Sequence, residues 1–438
     1  MATAAAELAA ALPAPPAGRL LVGYSGGLDS HVLLHLARYH YGATGLLAVH
    51  VHHGLSPNAD RWQRHCEATC AALGIACHSE RVAVTVGAGS PEGGARAARY
   101  AVFARLLGEG DVLLLAHHAD DQAETVLYRL LRGGVAAGMP AARPLGRGRL
   151  MRPLLAFSRD RLRAYAERAG LHWIEDESNA LLHADRNYLR HRVLPALAGR
   201  WPDAVVRLGR AAARSATAAD LHREMAEIDL ATLDERAERV GSSVDLRRLL
   251  ALPPHRRDNL LRHWLPAPGV PEPGARVLAA LVRDLAGAGG DAAPLVSWAG
   301  GQWRRFRGRL HLLPRGWGEN VATERGPWPW SPPAPLPLPD GAVLGARPVT
   351  GCGLRAGDGL VVRYRHGGER AHPADRRVST SLKKILQERE LEPWLRDRVP
   401  LIERAGQLVA VGDLFVCAGA AAGPGEPGWL PAWSTPRR

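Results

Sequence analysis

Hydrophobic positions in the first 190 residues fall into short blocks of two kinds. Continuous apolar runs at 19–24, 46–52 and 111–116, with a weaker one at 81–86, have the length of buried strands. Between them, apolar residues recur at helical spacing and predict helices at 30–40, 59–73, 91–107 and 121–132. Strand and helix in alternation predict a parallel sheet with helices on both faces. Ligands of such sheets gather at the carboxyl ends of the strands. Three segments should therefore converge: the one after 19–24, His50–Ser56 and His117–Asp121.

The rhythm then changes. Residues 203–325 read as helices rich in Ala, Leu and Arg, followed by a short β-like stretch, Trp303–Leu313. Residues 326–340 are dense in proline and read as a stiff linker. Short strands, Leu360–Arg365 among them, then mix with one helix, Thr380–Glu388, and a Gly/Pro/Ala-rich tail from Gly419 reads as mobile. The chain divides accordingly: an N-terminal extension (1–18), an α/β catalytic domain (19–205), a mainly helical middle domain (206–325), a linker (326–344), a small mixed α/β domain (345–418) and a tail (419–438). No apolar run reaches the ~20 residues that span a bilayer. Residues 1–18 lack the basic start and apolar core of a signal peptide.

Composition changes this picture in two respects. The five cysteines are odd in number and form no CxxC pair, which argues against a disulfide framework or zinc knuckle and for a reducing cytoplasm. The net charge of +13 calls for a polyanionic partner. Lys383 and Lys384 are the only lysines, so arginine makes up 54 of the 56 basic residues. The arginine bias looks like the drift of a GC-rich genome. The surviving lysine pair, on a helix of the terminal domain, suits a phosphate track where a rigid guanidinium fork would clash.

Ser25-Gly26-Gly27-Leu28-Asp29-Ser30 follows the first strand and opens the first helix. Glycines let such a loop turn tightly and present backbone N–H groups, and the helix N-terminus adds partial positive charge, so the geometry binds phosphate. The loop has no lysine and is not a GxxxxGK[ST] site. The three histidines of His50–His53 end the second strand, where lining a nucleotide pocket is a better reading than metal ligation. His117-His118-Ala119-Asp120-Asp121-Gln122-Ala123-Glu124 follows another strand. Asp120 can cap the helix that begins there, and a carboxylate at this place can hold Mg²⁺ on phosphates or take a proton from an amine. With no lysine before Lys383, a cation on a leaving pyrophosphate must be arginine or histidine; Arg96, Arg99 and Arg132 are the candidates. An acidic loop, Glu175–Asn179, then precedes a basic helix, Asp185–Arg192, which could meet a cationic substrate and RNA phosphates respectively.

The first loop resembles the pyrophosphate loop of ATP pyrophosphatases, which split ATP into AMP and pyrophosphate. With His50–Gly54, Ala95–Phe103, His117–Thr125, Glu175–Asn179 and Asp185–Arg190 in this order and spacing, the series resembles the bacterial tRNA(Ile)-lysidine synthetases. The similarity is strong over 19–200, weak through the middle helices, and returns at Val362–Gly368, Leu382–Glu388 and Pro393–Asp397. The resemblance implies a PP-loop domain of the adenine nucleotide alpha hydrolase kind, a helical tRNA-binding domain and a C-terminal tRNA-recognition domain. It implies ligation of free L-lysine to the wobble cytidine of the CAU anticodon of tRNA(Ile), through an adenylated cytidine, with release of AMP and diphosphate.

On that footing Ser25, Gly26, Gly27, Leu28, Asp29, Ser30, His52 and Gly54 would bind ATP. Asp29, Asp120, Asp121 and Arg96 would be catalytic, with Asp29 and Asp121 holding Mg²⁺. Arg99, His117, His118, Glu124, Arg132 and Asp176 are candidates for pyrophosphate or lysine, and Arg186, Arg190, Arg192, Lys383 and Lys384 for tRNA. No membrane and no obligate protein partner are implied, and a homodimer stays open. The rival within the superfamily is another ATP pyrophosphatase, one that thiolates tRNA or amidates a small molecule. The paired cysteines usual in thiolases are absent, as is any recognisable glutamine-amidotransferase domain.

Overall fold

A computed structural model describes residues 2–84, 91–175, 177, 185–267, 269–287, 295–317 and 324–435. The chain separates into two compact units, Met1–Asp220 and Leu221–Arg438, each with its own hydrophobic cores.

The first unit opens with a helix, α1 (Ala2–Ala10), and then alternates strands and helices. These are β1 (Leu20–Gly23), α2 (Leu28–Tyr41), β2 (Leu46–His52), α3 (Ala59–Ala72), β3 (Ala76–Arg81), α4 (Pro91–Leu106), β4 (Val112–Leu114) and α5 (Ala119–Leu131). A hairpin of β5 (Ala142–Leu145) and β6 (Gly148–Met151) and a helix, α6 (Arg159–Arg168), follow. The sheet order is β3-β2-β1-β4-β6-β5, parallel except for β5 against β6. Strand alternation splits the apolar runs between two faces. Leu20, Val22, Ala48 and Leu114 pack with α2, α3 and α6, whereas Leu21, Val49 and Leu113 pack with Val102 and Phe103 of α4. The order reverses at β1, whose neighbours β2 and β4 lie on opposite sides. The loops after β1 and β4 therefore flank the crevice where such sheets bind ligands.

One sequence expectation needs correction in this unit, and two features lie outside the sequence reading. The weak strand placed at 81–86 is β3, at 76–81. Its polar sequence, Ala-Cys-His-Ser-Glu-Arg, runs along the sheet edge and carries no apolar run to mark it. The β5–β6 hairpin has no counterpart in the sequence reading. The N-terminal extension is docked: Leu8 and Leu12 are buried in the core beneath α2, and the Tyr41 hydroxyl donates to the Pro13 carbonyl at 2.5 Å. After 185 the chain continues through α7 (Asp185–Tyr188), one π-helical stretch (Leu189–Val193), α8 (Leu194–Arg200) and the long α9 (Ala204–Ala231).

The second unit holds more sheet than the sequence suggests. The middle region contains helices Leu246–Ala251, Pro254–His263 and Ala275–Gly287. It also contains a five-stranded antiparallel sheet, ending in Leu295–Trp298, Gly301–Phe306 and Arg309–Leu313. Trp303, Leu249, Leu260 and Leu281 form its core. The segment read as a linker is folded: Trp328–Trp330 pairs with Leu360–Arg363, and Leu336–Pro337 with Val343–Thr350. The segment read as a mobile tail supplies a strand, Pro427–Ser434, registered residue for residue against Val343–Thr350. Trp328–Trp330 is an edge strand, and an edge tolerates proline because one row of N–H groups needs no partner. The terminal helix is Leu382–Glu388. It buries Leu382, Ile385 and Leu386 and leaves Lys383 and Lys384 exposed. Among the described residues no helix is long and apolar enough to cross a membrane.

Candidate active site

The crevice is a cavity of about 750 Å³ at the carboxyl ends of β1, β2 and β4. Ser25, Gly27, Leu28, Asp29 and Ser30 form one wall, and His50, Val51 and His53 line it from β2 and the residue after it. His117 and Asp121 come from the β4–α5 junction, Arg99 from α4, and Arg159 and Arg163 from α6. Trp173, Glu175, Glu177, Arg190 and His191 also line it.

The loop holds its shape with its own hydroxyls. Ser30 Oγ donates to the Gly27 carbonyl at 3.0 Å, receives the Ser25 N–H at 3.2 Å, and lies 3.0 Å from Ser25 Oγ. Gly26 has φ +83°, and a Cβ there would stand 3.0 Å from both Cys66 Sγ and Ile174 Cδ1. The backbone conformation favours glycine, and the space for a Cβ is tight. Gly27 is the N-cap of α2, so the N–H groups of Leu28, Asp29 and Ser30 have no intrahelical acceptor. Those donors and the helix dipole make this wall a phosphate cradle.

Opposite the loop, His118 is 1% exposed and ringed by carboxylates. Its Nε2 lies 3.5 Å from Asp29 Oδ2 and 3.4 Å from Asp121 Oδ2, and its Nδ1 lies 3.5 Å from Asp120 Oδ2. These are close charge contacts rather than aligned hydrogen bonds. Burial opposes the charge, but Asp120, Asp29 and Asp121 outweigh it and push the imidazole up to about 10. Its neighbour His117 is held down to about 2 by burial and by Arg152, Arg96 and Arg99. Arg152 Nε donates to His117 Nδ1 at 3.3 Å, so the neutral ring carries its proton on Nε2.

Asp121 is engaged on both oxygens: Oδ2 accepts the His118 N–H at 3.1 Å and Oδ1 accepts from Arg190 Nη2 at 2.9 Å. Arg190 also donates to Glu124 through Nε at 2.6 Å and Nη2 at 3.1 Å. Glu124 is 2% exposed, and burial raises its pKa against the pull of Arg190.

Asp29 Oδ1 is buried and accepts no hydrogen bond; Arg159 Nε stands 3.9 Å from it, and His118 faces the other oxygen. An unspent carboxylate oxygen beside a phosphate loop fits Mg²⁺, which takes one or two carboxylates and completes its shell with phosphates and water. Among the described residues no three His, Cys, Asp or Glu converge as a self-sufficient metal cage.

Comparison with known proteins agrees with this geometry. A PP-loop domain model matches residues 1–197, a TilS substrate binding domain residues 245–311, and a TilS substrate C-terminal domain residues 360–433. The tRNA(Ile)-lysidine synthase of Alkalilimnicola ehrlichii is 45% identical over 94% of this chain and 93% of that one. The synthase of Pseudomonas aeruginosa is 45% identical over 98% and 96%, and that of Coxiella burnetii 41% over 93% and 91%. The chain belongs to the tRNA(Ile)-lysidine synthase family. It is an ATP-binding PP-loop enzyme and a ligase.

Within this lysidine synthase fold the predicted residues separate into groups. Ser25, Gly27, Leu28, Asp29, Ser30, Arg99, His117, Asp121 and Arg190 line the cavity. Arg190, assigned from sequence to RNA, instead faces Asp121 and Glu124. Asp120 is drawn off to cap α6, accepting the Arg159 N–H at 2.9 Å. Arg96 stacks on Tyr100, with Cζ 4.9 Å from the ring centroid, and is not in the lining. His52 turns to Asp60, with Nε2 3.0 Å from Oδ1, and neither it nor Gly54 lines the cavity; His50 and His53 do. Arg132 lines a different recess. Arg192 is exposed and Arg186 half-buried. Asp176 lies outside the described residues. Arg159 and Arg163 escape a sequence reading, since nothing in their local sequence marks a site. Glu175 and Glu177 carry a signal, the acidic run after Trp173.

Proposed function

We propose that this chain joins free L-lysine to C2 of the wobble cytidine in the CAU anticodon of tRNA(Ile), consuming ATP and releasing AMP and diphosphate. The observation that carries the reading is the match of near-full-length lysidine synthases to a chain whose phosphate loop and carboxylate cluster face one cavity.

The chemistry runs in two displacements. Cytosine O2 attacks the α-phosphorus of ATP, the bond to the β-phosphate oxygen breaks, and diphosphate leaves. The lysine ε-amine then attacks C2, the C2–O bond breaks, and AMP departs with that oxygen. An unperturbed ε-ammonium has a pKa near ~10.4, so it must lose one proton to attack and a second once the C–N bond has formed.

The loop N–H groups of Leu28, Asp29 and Ser30 would hold phosphate oxygens, and Arg99 would balance charge on the departing diphosphate. Asp29, with its unspent oxygen, is the residue to hold Mg²⁺; the ion, when bound, would neutralise phosphate charge. Asp121 is the favoured site for the lysine amine, because it lines the cavity and Asp120 is occupied by α6. Glu175 and Glu177 at the wall would favour a cationic amino acid. Entry into the cavity requires the target base to leave its stack, which an anticodon loop permits.

The test is release of AMP by the purified full-length chain. AMP should accumulate with stoichiometric lysine uptake only when tRNA(Ile) with a CAU anticodon, ATP and lysine are all present. Lysine-independent modification of the tRNA would overturn the reading.

A further inference from the structure

A second recess lies at the far end of α5. It has a volume of about 370 Å³ and is lined by Tyr128, Arg129, Arg132, Gly134, Val135 and Ala137. It is held in shape from both sides. Arg129 Nη1 donates to the carbonyls of Ala137 and Gly138, each at 2.8 Å, and folds the following loop back over the helix end. Gln122 fixes the other end of that loop, donating to the Met139 carbonyl at 2.9 Å and accepting its N–H at 2.6 Å. Arg132 lies over Tyr128, with Cζ 5.2 Å from the ring centroid and Nη1 2.5 Å from the hydroxyl.

The recess is apolar at its walls and cationic at its lip. Leu131 is 74% and Val135 70% exposed beside it. A protein partner would need a far larger apolar surface than this. One flat aromatic ring with an anion attached fits it: the ring stacks on the face of Tyr128 away from Arg132, and the anion meets Arg132.

The recess and the cavity lie at the two ends of one helix, α5. Arg132, the C-cap of α5, follows Asp121 by eleven positions, about 16 Å of helical rise. α7 and the stretch after it pack beside α5. They place His191 at the cavity wall and leave Tyr188 and Arg192 exposed. Aromatic and basic side chains thus occur at both ends of this route, the arrangement by which proteins track a single RNA strand.

We propose that the recess receives a second, unmodified nucleobase of the same RNA loop whose target base enters the cavity, stacked on Tyr128 with its phosphate on Arg132. The proposal rests on the reading of the substrate as an anticodon loop.

The test uses full-length protein and a CAU anticodon stem-loop RNA carrying 2-aminopurine at one loop position at a time. One position outside the target cytidine should change fluorescence on binding. The change should vanish in Tyr128→Leu and persist in Tyr128→Phe, which keeps the stacking face. Kd for the stem-loop should rise at least about fivefold in Tyr128→Leu, and Arg132→Gln should weaken binding with a shallower salt dependence. Kd for ATP should not move, because neither residue lines the nucleotide cavity. Wild-type Kd and fluorescence in Tyr128→Leu and Arg132→Gln would overturn the proposal. Failure of the underlying reading looks different: the wild type itself would not bind the stem-loop.

Discussion

His117 and His118 are consecutive residues with opposite protonation. Their side chains leave a strand end in opposite directions. His118 enters a group of three carboxylates and is pushed up to about 10; His117 meets arginines and is pushed down to about 2. The charged His118 ties the phosphate loop, through Asp29, to the start of α5. Its folded pKa lies above the unfolded value, so its contribution to stability is full below about pH 6.5 and is lost as pH rises through about 10. Metal-free wild type should therefore melt well above His118→Asn near pH 6, and the gap should close towards pH 10. Thermal denaturation across that range checks this; a gap that widens with pH would be incompatible with a charged His118.

Among the elements, α5 and the α7–α8 segment are joined by Arg190. Glu124 is nearly inaccessible, and Arg190 is the cation paired with it. Removing the arginine leaves a buried carboxylate without that counter-charge, which typically costs about 3–5 kcal/mol. Arg190→Met should lower the denaturation midpoint accordingly, and Arg190→Met/Glu124→Leu should recover much of the loss. A single variant as stable as wild type would mean the pair is solvated.

Elements differ in how readable they are. β1, the loop and α5 are legible because their chemistry is contiguous: an apolar run, then glycines or carboxylates, then a helical pattern. Arg190 is not, because its partners lie 66 and 69 residues away and only the fold brings them together. β3 is misplaced by an apolar pattern because an edge strand needs no apolar run. Trp328–Trp330 and Pro427–Ser434 are hidden by their prolines, which composition associates with linkers; the first is an edge strand, where proline is tolerated, and the second is paired on both sides, with proline at its first position. His50, His52 and His53 look alike in the sequence, and His52, named through the resemblance, is drawn off by Asp60, a contact no local pattern shows.

For the whole molecule, the charge of +13 and the division into two units suggest that the nucleotide site and the rest of the RNA-binding surface contribute separately. Lys383 and Lys384 lie in the second unit, exposed on the terminal helix. If they hold phosphates, Lys383→Ala/Lys384→Ala should weaken tRNA binding without changing Kd for ATP. The plot of log K against log salt should flatten by up to ~1 for each phosphate no longer neutralised. An unchanged slope would remove the pair from the interface.

The identity of the product decides the function most directly. Full-length protein, ATP, ¹³C-lysine and tRNA(Ile) with a CAU anticodon would be incubated together, and the nuclease-digested RNA analysed by mass spectrometry. The expected product is a wobble cytidine heavier by one labelled lysine less one water, with one AMP formed per modified tRNA. Neither should form in Asp29→Ala. An unchanged cytidine alongside tRNA-dependent AMP release, or a product that takes up sulfide or ammonia in place of lysine, would contradict the lysidine reading.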